Sequence, residues 1–137
     1  MVDRELILRK IAALEEYLDQ LGEFRSLSVE AYRTDWKTQR IVDRTLHMAI
    51  ETCLDVGDHL IADRRLRAPS TQAETFEILR DAGLLPASLA ESLVRMARFR
   101  NLLVHEYATL EPAKVVAILH DSLDDLRSYR DEILKLA

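Results

Sequence analysis

The chain of 137 residues combines 48% hydrophobic with 31% charged residues and holds only three Gly and three Pro, a balance that suits packed helices and disfavours disordered or turn-rich all-β chains. Cys53 is the lone cysteine, which excludes an internal disulfide and the cysteine-rich zinc modules and makes a reducing compartment the expectation. The net charge of −5 argues against a protein that coats nucleic acid through an excess of Lys and Arg, while leaving room for a local basic cleft.

From Asp3 to Leu21 the residues Ile7, Ile11, Leu14, Leu18 and Leu21 recur at intervals of three and four, which predicts a helix burying one stripe. This charged opening has no apolar run of signal-peptide type, and no stretch approaches the ~20 apolar residues of a membrane span, so a cytoplasmic location is expected. Ser28 with Glu30 offers an N-cap for a short helical segment, and Thr34-Asp35 offers another for a long helix from Trp36 to about Leu66. Ile41, Leu46, Ile50, Leu54 and Ile61 give that helix a broad apolar face, and its length makes it the expected spine. Arg64-Arg65-Leu66-Arg67 reads as compensation of the dipole at its C-terminus.

After Pro69, Ser70 or Thr71 with Glu74 forms the pattern of a capping box for a helix over Gln72 to Ala82. Gly83 suits the left-handed position that closes it, with Leu84 making the accompanying apolar contact. Pro86 lies in the first turn of the next helix, whose buried side is Leu89, Leu93, Met96, Leu103 and Val104. A last helix starts near Pro112 with Val115, Leu119, Leu123, Leu126, Tyr129, Ile133 and Leu136 as its stripe. No repeat, low-complexity tract or linker interrupts the pattern, so residues 1–137 are expected to form one all-α domain, an up-and-down bundle of about five helices.

Chemistry concentrates in Arg98-Phe99-Arg100-Asn101-Leu102-Leu103-Val104-His105-Glu106-Tyr107, where cations, an amide, an imidazole and a phenol crowd the end of an apolar helix. Asn101 and His105 share a helical face, whereas Arg100 and His105 stand about 140° apart around the axis. Either Arg100 curls round or a second subunit supplies the missing half. Spacing alone leaves His105 readable as a satisfied histidine at a helix end and Tyr107 as a half-buried aromatic. Glu51, Asp55, Asp58 and His59 suggest a metal site or a carboxylate pair, but the Glu-x-x-His pattern of di-iron bundles is missing and Asp55 with His59 fits a plain polar strip. If they line the same cleft as His105, Asp58 and His59 are candidates only for outer residues of that site. His120-Asp121 lies in a charged helix without further ligands, and Cys53 reads as a small buried hydrophobe. Trp36 and Met48 fit core or dimer-contact roles.

Arg100 through Tyr107, an Arg, four residues, His, one residue, Tyr, resembles the signature of the HEPN superfamily and, in its Tyr, that of the HepT branch, the toxin of MntA–HepT pairs. Ala49 to Ile61 and Ala82-Gly83-Leu84-Leu85-Pro86 extend the resemblance, which spans roughly Ser28 to Leu136. The resemblance implies a HEPN-like homodimer with the motif of each protomer facing a shared cleft, and metal-independent cleavage of RNA, transfer RNA among the candidate targets. It implies that Arg100 and His105 are catalytic and Asn101 supporting, with no metal and no cofactor. It also implies an MntA-like minimal nucleotidyltransferase antitoxin that transfers AMP to Tyr107. The other function open to such a chain is a non-catalytic HEPN subunit that binds or adapts for the nucleotidyltransferase.

Overall fold

The computed structural model describes residues 3–105 and 110–136, with the side chains of 104 and 105 outside that description. These residues form seven helices and no strand: α1 (Arg4–Gly22), α2 (Val29–Thr34), α3 (Trp36–Asp63), α4 (Glu74–Asp81), α5 (Ala87–His105), α6 (Pro112–Asp121) and α7 (Leu123–Leu136). The five long elements expected from periodicity are present, α2 is the short capped segment, and the last expected helix is divided at Ser122. There the backbone leaves the helical run, and Asp124 and Asp125 open α7 with negative charge at its N-terminus.

Helix starts follow the capping residues. Asp3 accepts from the Leu6 amide at 3.1 Å, Ser28 from Ala31 at 3.0 Å, and Asp35 from Lys37 and Thr38 at 3.1 and 3.4 Å, each satisfying amides that a first turn leaves open. The capping box at α4 also forms: the Glu74 amide donates to Thr71 Oγ1 at 3.3 Å, and the Ser70 amide donates to the Glu74 carboxylate at 2.5 Å. Gly83 takes φ 77° and closes α4 with amides 83 and 84 bonded back to Arg80 and Leu79, the left-handed ending its lack of Cβ permits. At the end of α3 Arg65 adopts φ 54°, so the basic run begins as the helix stops.

α1 packs on α3 and α7, and α5 packs on α3, α4 and α7. The core draws on Leu14, Leu18, Leu46, Ile50, Leu93 and Leu126 among many others. Tyr129 is fully buried at its centre, donating its hydroxyl to the Cys53 carbonyl at 2.8 Å and standing edge-on to Phe76 at 5.6 Å. One apolar residue of α3 departs from expectation. Ile41 is 51% exposed although the adjacent Val42 is fully buried, because it lies about half a turn around α3 from Ile50 and faces away from the core; Trp36, 61% exposed, is flanked by the cations of Lys37 and Arg40. No described helix is long and apolar enough to cross a membrane.

α3, α4 and α7 converge on Gly57. A Cβ there would stand 2.6 Å from Thr75 Cγ2, 3.2 Å from Tyr129 Oη and 3.3 Å from Leu79 Cδ1. Thr75 cannot readily turn away, since its hydroxyl donates to Asp58 at 2.8 Å. Alanine would gain about 1 kcal/mol of helix propensity, whereas overpacking a filled core costs about 1–3 kcal/mol. Gly57→Ala is therefore expected to lower stability by about 1 kcal/mol net, read as an earlier urea midpoint; a later midpoint would show that the three helices separate freely at this point.

Candidate active site

Arg100 leaves α5 toward α3 and the connection that precedes α4. Its side chain is only 14% exposed, and its Nη2 lies 2.7 Å from the Glu51 carboxylate. Nη1 donates to Gln72 Oε1 at 3.1 Å and to Asn101 Oδ1 at 3.4 Å. A guanidinium taken this far out of water requires acceptors, and an ion pair with two further hydrogen bonds supplies them. Nε is buried and has no acceptor.

Glu51 belongs to a polar stripe on α3 in which Arg44, His47, Glu51 and Asp55 follow one another at intervals of three and four and so share a face. With Tyr17 of α1 they line a cleft of about 360 Å³. Arg44 Nη1 is 3.2 Å from His47 Nδ1. Because a guanidinium can only donate, that contact requires an unprotonated Nδ1, placing the proton of the neutral ring on Nε2. Nε2 is buried without a hydrogen-bond acceptor and lies 4.0 Å from the Glu51 carboxylate. Burial first, then the charges of Arg100 and Arg44, holds the imidazole below the usual histidine range, with Glu51 opposing them.

Of the residues singled out from sequence, Arg100 and Asn101 are in contact at the end of α5. His105 is the last residue of α5, but its side chain lies outside the described residues, as does Tyr107 entirely. Asp58 and His59 diverge: Asp58 accepts from Thr75 of α4, while His59 stands 3.7 Å from Asp55, itself paired with Lys10 of α1. The Asp55–His59 strip thus forms as an intrahelical pair. Among the described residues no group of three His, Cys, Asp or Glu side chains could hold a metal ion. His120 contacts the Leu27 carbonyl at 3.0 Å, a tie between α6 and the α1–α2 connection. Cys53 is buried, which pushes its thiol well up from the ordinary range and away from nucleophilic use.

Arg44, His47 and Gln72 were missed in the sequence. The spacing of Arg44, His47 and Glu51 was visible and would have put them on one face, but nothing local relates Gln72 to Arg100, since the pairing depends on how α4 docks. A larger hollow of about 610 Å³ lies on the other side of α5, against α6, with Met96, Phe99, Leu102 and Ile118 as its apolar lining and Arg95 and Arg98 at its margin.

The family described as Ribonuclease HepT-like matches residues 14–133. The tRNA nuclease HepT of Aphanizomenon flos-aquae is 26% identical over 132 residues, covering 96% of this chain and 90% of that protein. The mRNA nuclease HepT of Shewanella oneidensis is 25% identical over 129 residues, covering 94% and 96%. Among solved structures, the tri-AMPylated HEPN toxin of Shewanella oneidensis in complex with its MNT antitoxin superposes with a TM-score of 0.88 at 24% identity, over 98% of this chain and all of that one. That likeness places the seven helices in the HEPN arrangement.

His47 yields a pH-dependent expectation. Its folded-state pKa is depressed, so as pH falls below the ordinary histidine value the unfolded chain takes up the proton first; the stabilisation is complete at neutral pH and fades on acidification. In an NMR titration the His47 ring should titrate below an exposed histidine, move up in Arg100→Gln and move further down in Glu51→Gln. A shift in the opposite direction in either variant would mean that these charges do not act on the ring.

Proposed function

We propose, from the premise that the chain belongs to the Ribonuclease HepT-like family, that it is an endoribonuclease toxin of a two-component toxin–antitoxin system. The observation that carries the reading is Arg100, a guanidinium fixed at the end of α5 by Glu51, Gln72 and Asn101, five residues before His105 and inside the matched region. Within this reading residues 1–137 act as one domain, two copies bring their motifs to a common cleft, and the protein works in the cytoplasm.

The chemistry needs no external nucleophile. A ribose 2′-oxygen attacks the adjacent phosphorus, the bond from phosphorus to the 5′-oxygen breaks, and a cyclic phosphate and a free 5′-hydroxyl result. One proton leaves the 2′-hydroxyl and one reaches the departing 5′-oxygen. An imidazole with an ordinary pKa near ~6.5 can perform either transfer, which is the role assigned to His105. Arg100 stays cationic and stabilises the charge gathering on the phosphate oxygens, with Asn101 supporting its position. Asp58 and His59 remain at the periphery of this scheme, as outer residues on α3.

The proposed antitoxin is a nucleotidyltransferase that joins the Tyr107 hydroxyl to the α-phosphorus of ATP and releases pyrophosphate. The resulting AMP ester adds bulk and negative charge two residues from His105, disfavouring an incoming RNA backbone.

Purified protein incubated with transfer RNA in chelator should cleave it. Arg100→Ala and His105→Ala should each lose at least about a hundredfold in rate, the scale of a lost proton-transfer or charge-stabilising group, while remaining folded. Cleavage retained by both variants would remove the site, and a wild-type protein that binds RNA without ever cutting it would favour an adaptor role. Mass spectrometry of protein produced together with a nucleotidyltransferase partner should find AMP on Tyr107 and none on Tyr107→Phe; an adduct elsewhere would relocate the control point.

A further inference from the structure

The α3 stripe has more order than a solvated face requires. Arg100 has five N–H donors; Gln72 and Asn101 occupy Nη1, and Nη2 is ion-paired with Glu51. Nε–H is left over, buried without an acceptor. On the other side of the same carboxylate, His47 Nε2–H is likewise buried and unfilled. Buried donors left open are uncommon because each forfeits its hydration. Two of them flanking one carboxylate describe a place prepared for acceptor oxygens.

We propose that Glu51 is a positioning residue of the Arg100 site, fixing the guanidinium plane so that its remaining donor, together with His47 Nε2–H, meets the oxygens of one phosphodiester. The proposal rests on the ribonuclease reading for the identity of that phosphodiester, and on the geometry of α3 and α5 for the rest. Arg44 enters through the ring: it holds His47 Nδ1 as an acceptor at 3.2 Å and so commits the other nitrogen to donation. Asp55, which lines the same cleft, is paired with Lys10 and leaves Glu51 as the carboxylate joined to Arg100.

The test compares Glu51→Ala, Glu51→Gln, His47→Leu and Arg100→Ala with the wild type, each with steady-state cleavage of an oligoribonucleotide and a thermal melt. A glutamine oxygen still accepts from Nη2, so Glu51→Gln should keep kcat within about threefold, whereas Glu51→Ala frees the guanidinium and should lose about 10–100-fold in kcat, the scale of a misplaced catalytic group. KM should change little in Glu51→Ala, and both Glu51 variants should remain folded at the assay temperature. His47→Leu removes one donor to bound phosphate and should raise KM about tenfold. Wild-type kcat in Glu51→Ala, equal losses in the Ala and Gln variants, or an unchanged KM in His47→Leu would overturn the proposal while leaving the ribonuclease reading intact, provided Arg100→Ala is inactive. If the wild type cuts no RNA the ribonuclease reading fails, and positioning is judged separately by NMR. The Arg100 Nε–Hε resonance, assigned by its loss in Arg100→Lys, should persist in wild type and Glu51→Gln and broaden in Glu51→Ala; persistence in Glu51→Ala would refute it.

Discussion

An arginine withdrawn from water must take its acceptors from whatever elements it crosses, and Arg100 takes them from three. Glu51 comes from α3, Gln72 from the connection before α4, and Asn101 from α5 itself. The direct consequence is that the position of the guanidinium reports the docking of α3 against α5. Farther along α3, Gly57 admits Thr75 and Leu79 of α4 and Tyr129 of α7, a close approach that bears on the docking of α4, whose preceding connection brings Gln72 to Arg100. A core contact at Gly57 and a site contact at Glu51 thus lie six residues apart on one helix.

α3 carries these duties on different sides. Leu46, Ile50, Cys53 and Leu60 face the core, while Arg44, His47, Glu51 and Asp55 face the cleft. The polar stripe then divides: Glu51 and Asp58 meet partners on α5 and α4, and Asp55 meets Lys10 on α1. Each carboxylate consequently has a different cation or hydroxyl to satisfy. This separation explains why four acidic or imidazole side chains crowded in sequence do not form a common ligand set.

Much of the fold could be read in advance because its signals are local. The caps at Asp3, Ser28 and Asp35, the capping box of Thr71 and Glu74, and the left-handed Gly83 each depend on a few neighbouring residues, and each forms. The break at Ser122 was hidden because the apolar stripe runs through it from Leu119 to Leu126 without losing step. Ile41 is apolar but stands about half a turn around α3 from Ile50, so its position on the helix, not its hydrophobicity, decides that it faces away from the core. At the site, Arg100 stood out by its unusual company of residues, but its partners did not. Glu51 appeared only as one member of an acidic group, and Gln72 is a polar residue in a turn until the tertiary structure brings it to α5.

The pairing of Arg100 also bears on how an acidic chain can approach a polyanion. Because Glu51 neutralises that guanidinium at contact distance, Arg100 contributes little to the distant field, whose reach is limited to about 8 Å at physiological ionic strength. Long-range attraction has to come from cations without such partners. Arg95 and Arg98 have no ion pair among the described residues and lie beside the apolar hollow on the far side of α5. Under the proposed ribonuclease reading the two roles of positive charge are divided along one helix: exposed arginines attract at a distance, and the enclosed one acts at contact. Encounter should respond to salt through the exposed group, whereas chemistry at Arg100 should respond to the geometry that Glu51 imposes.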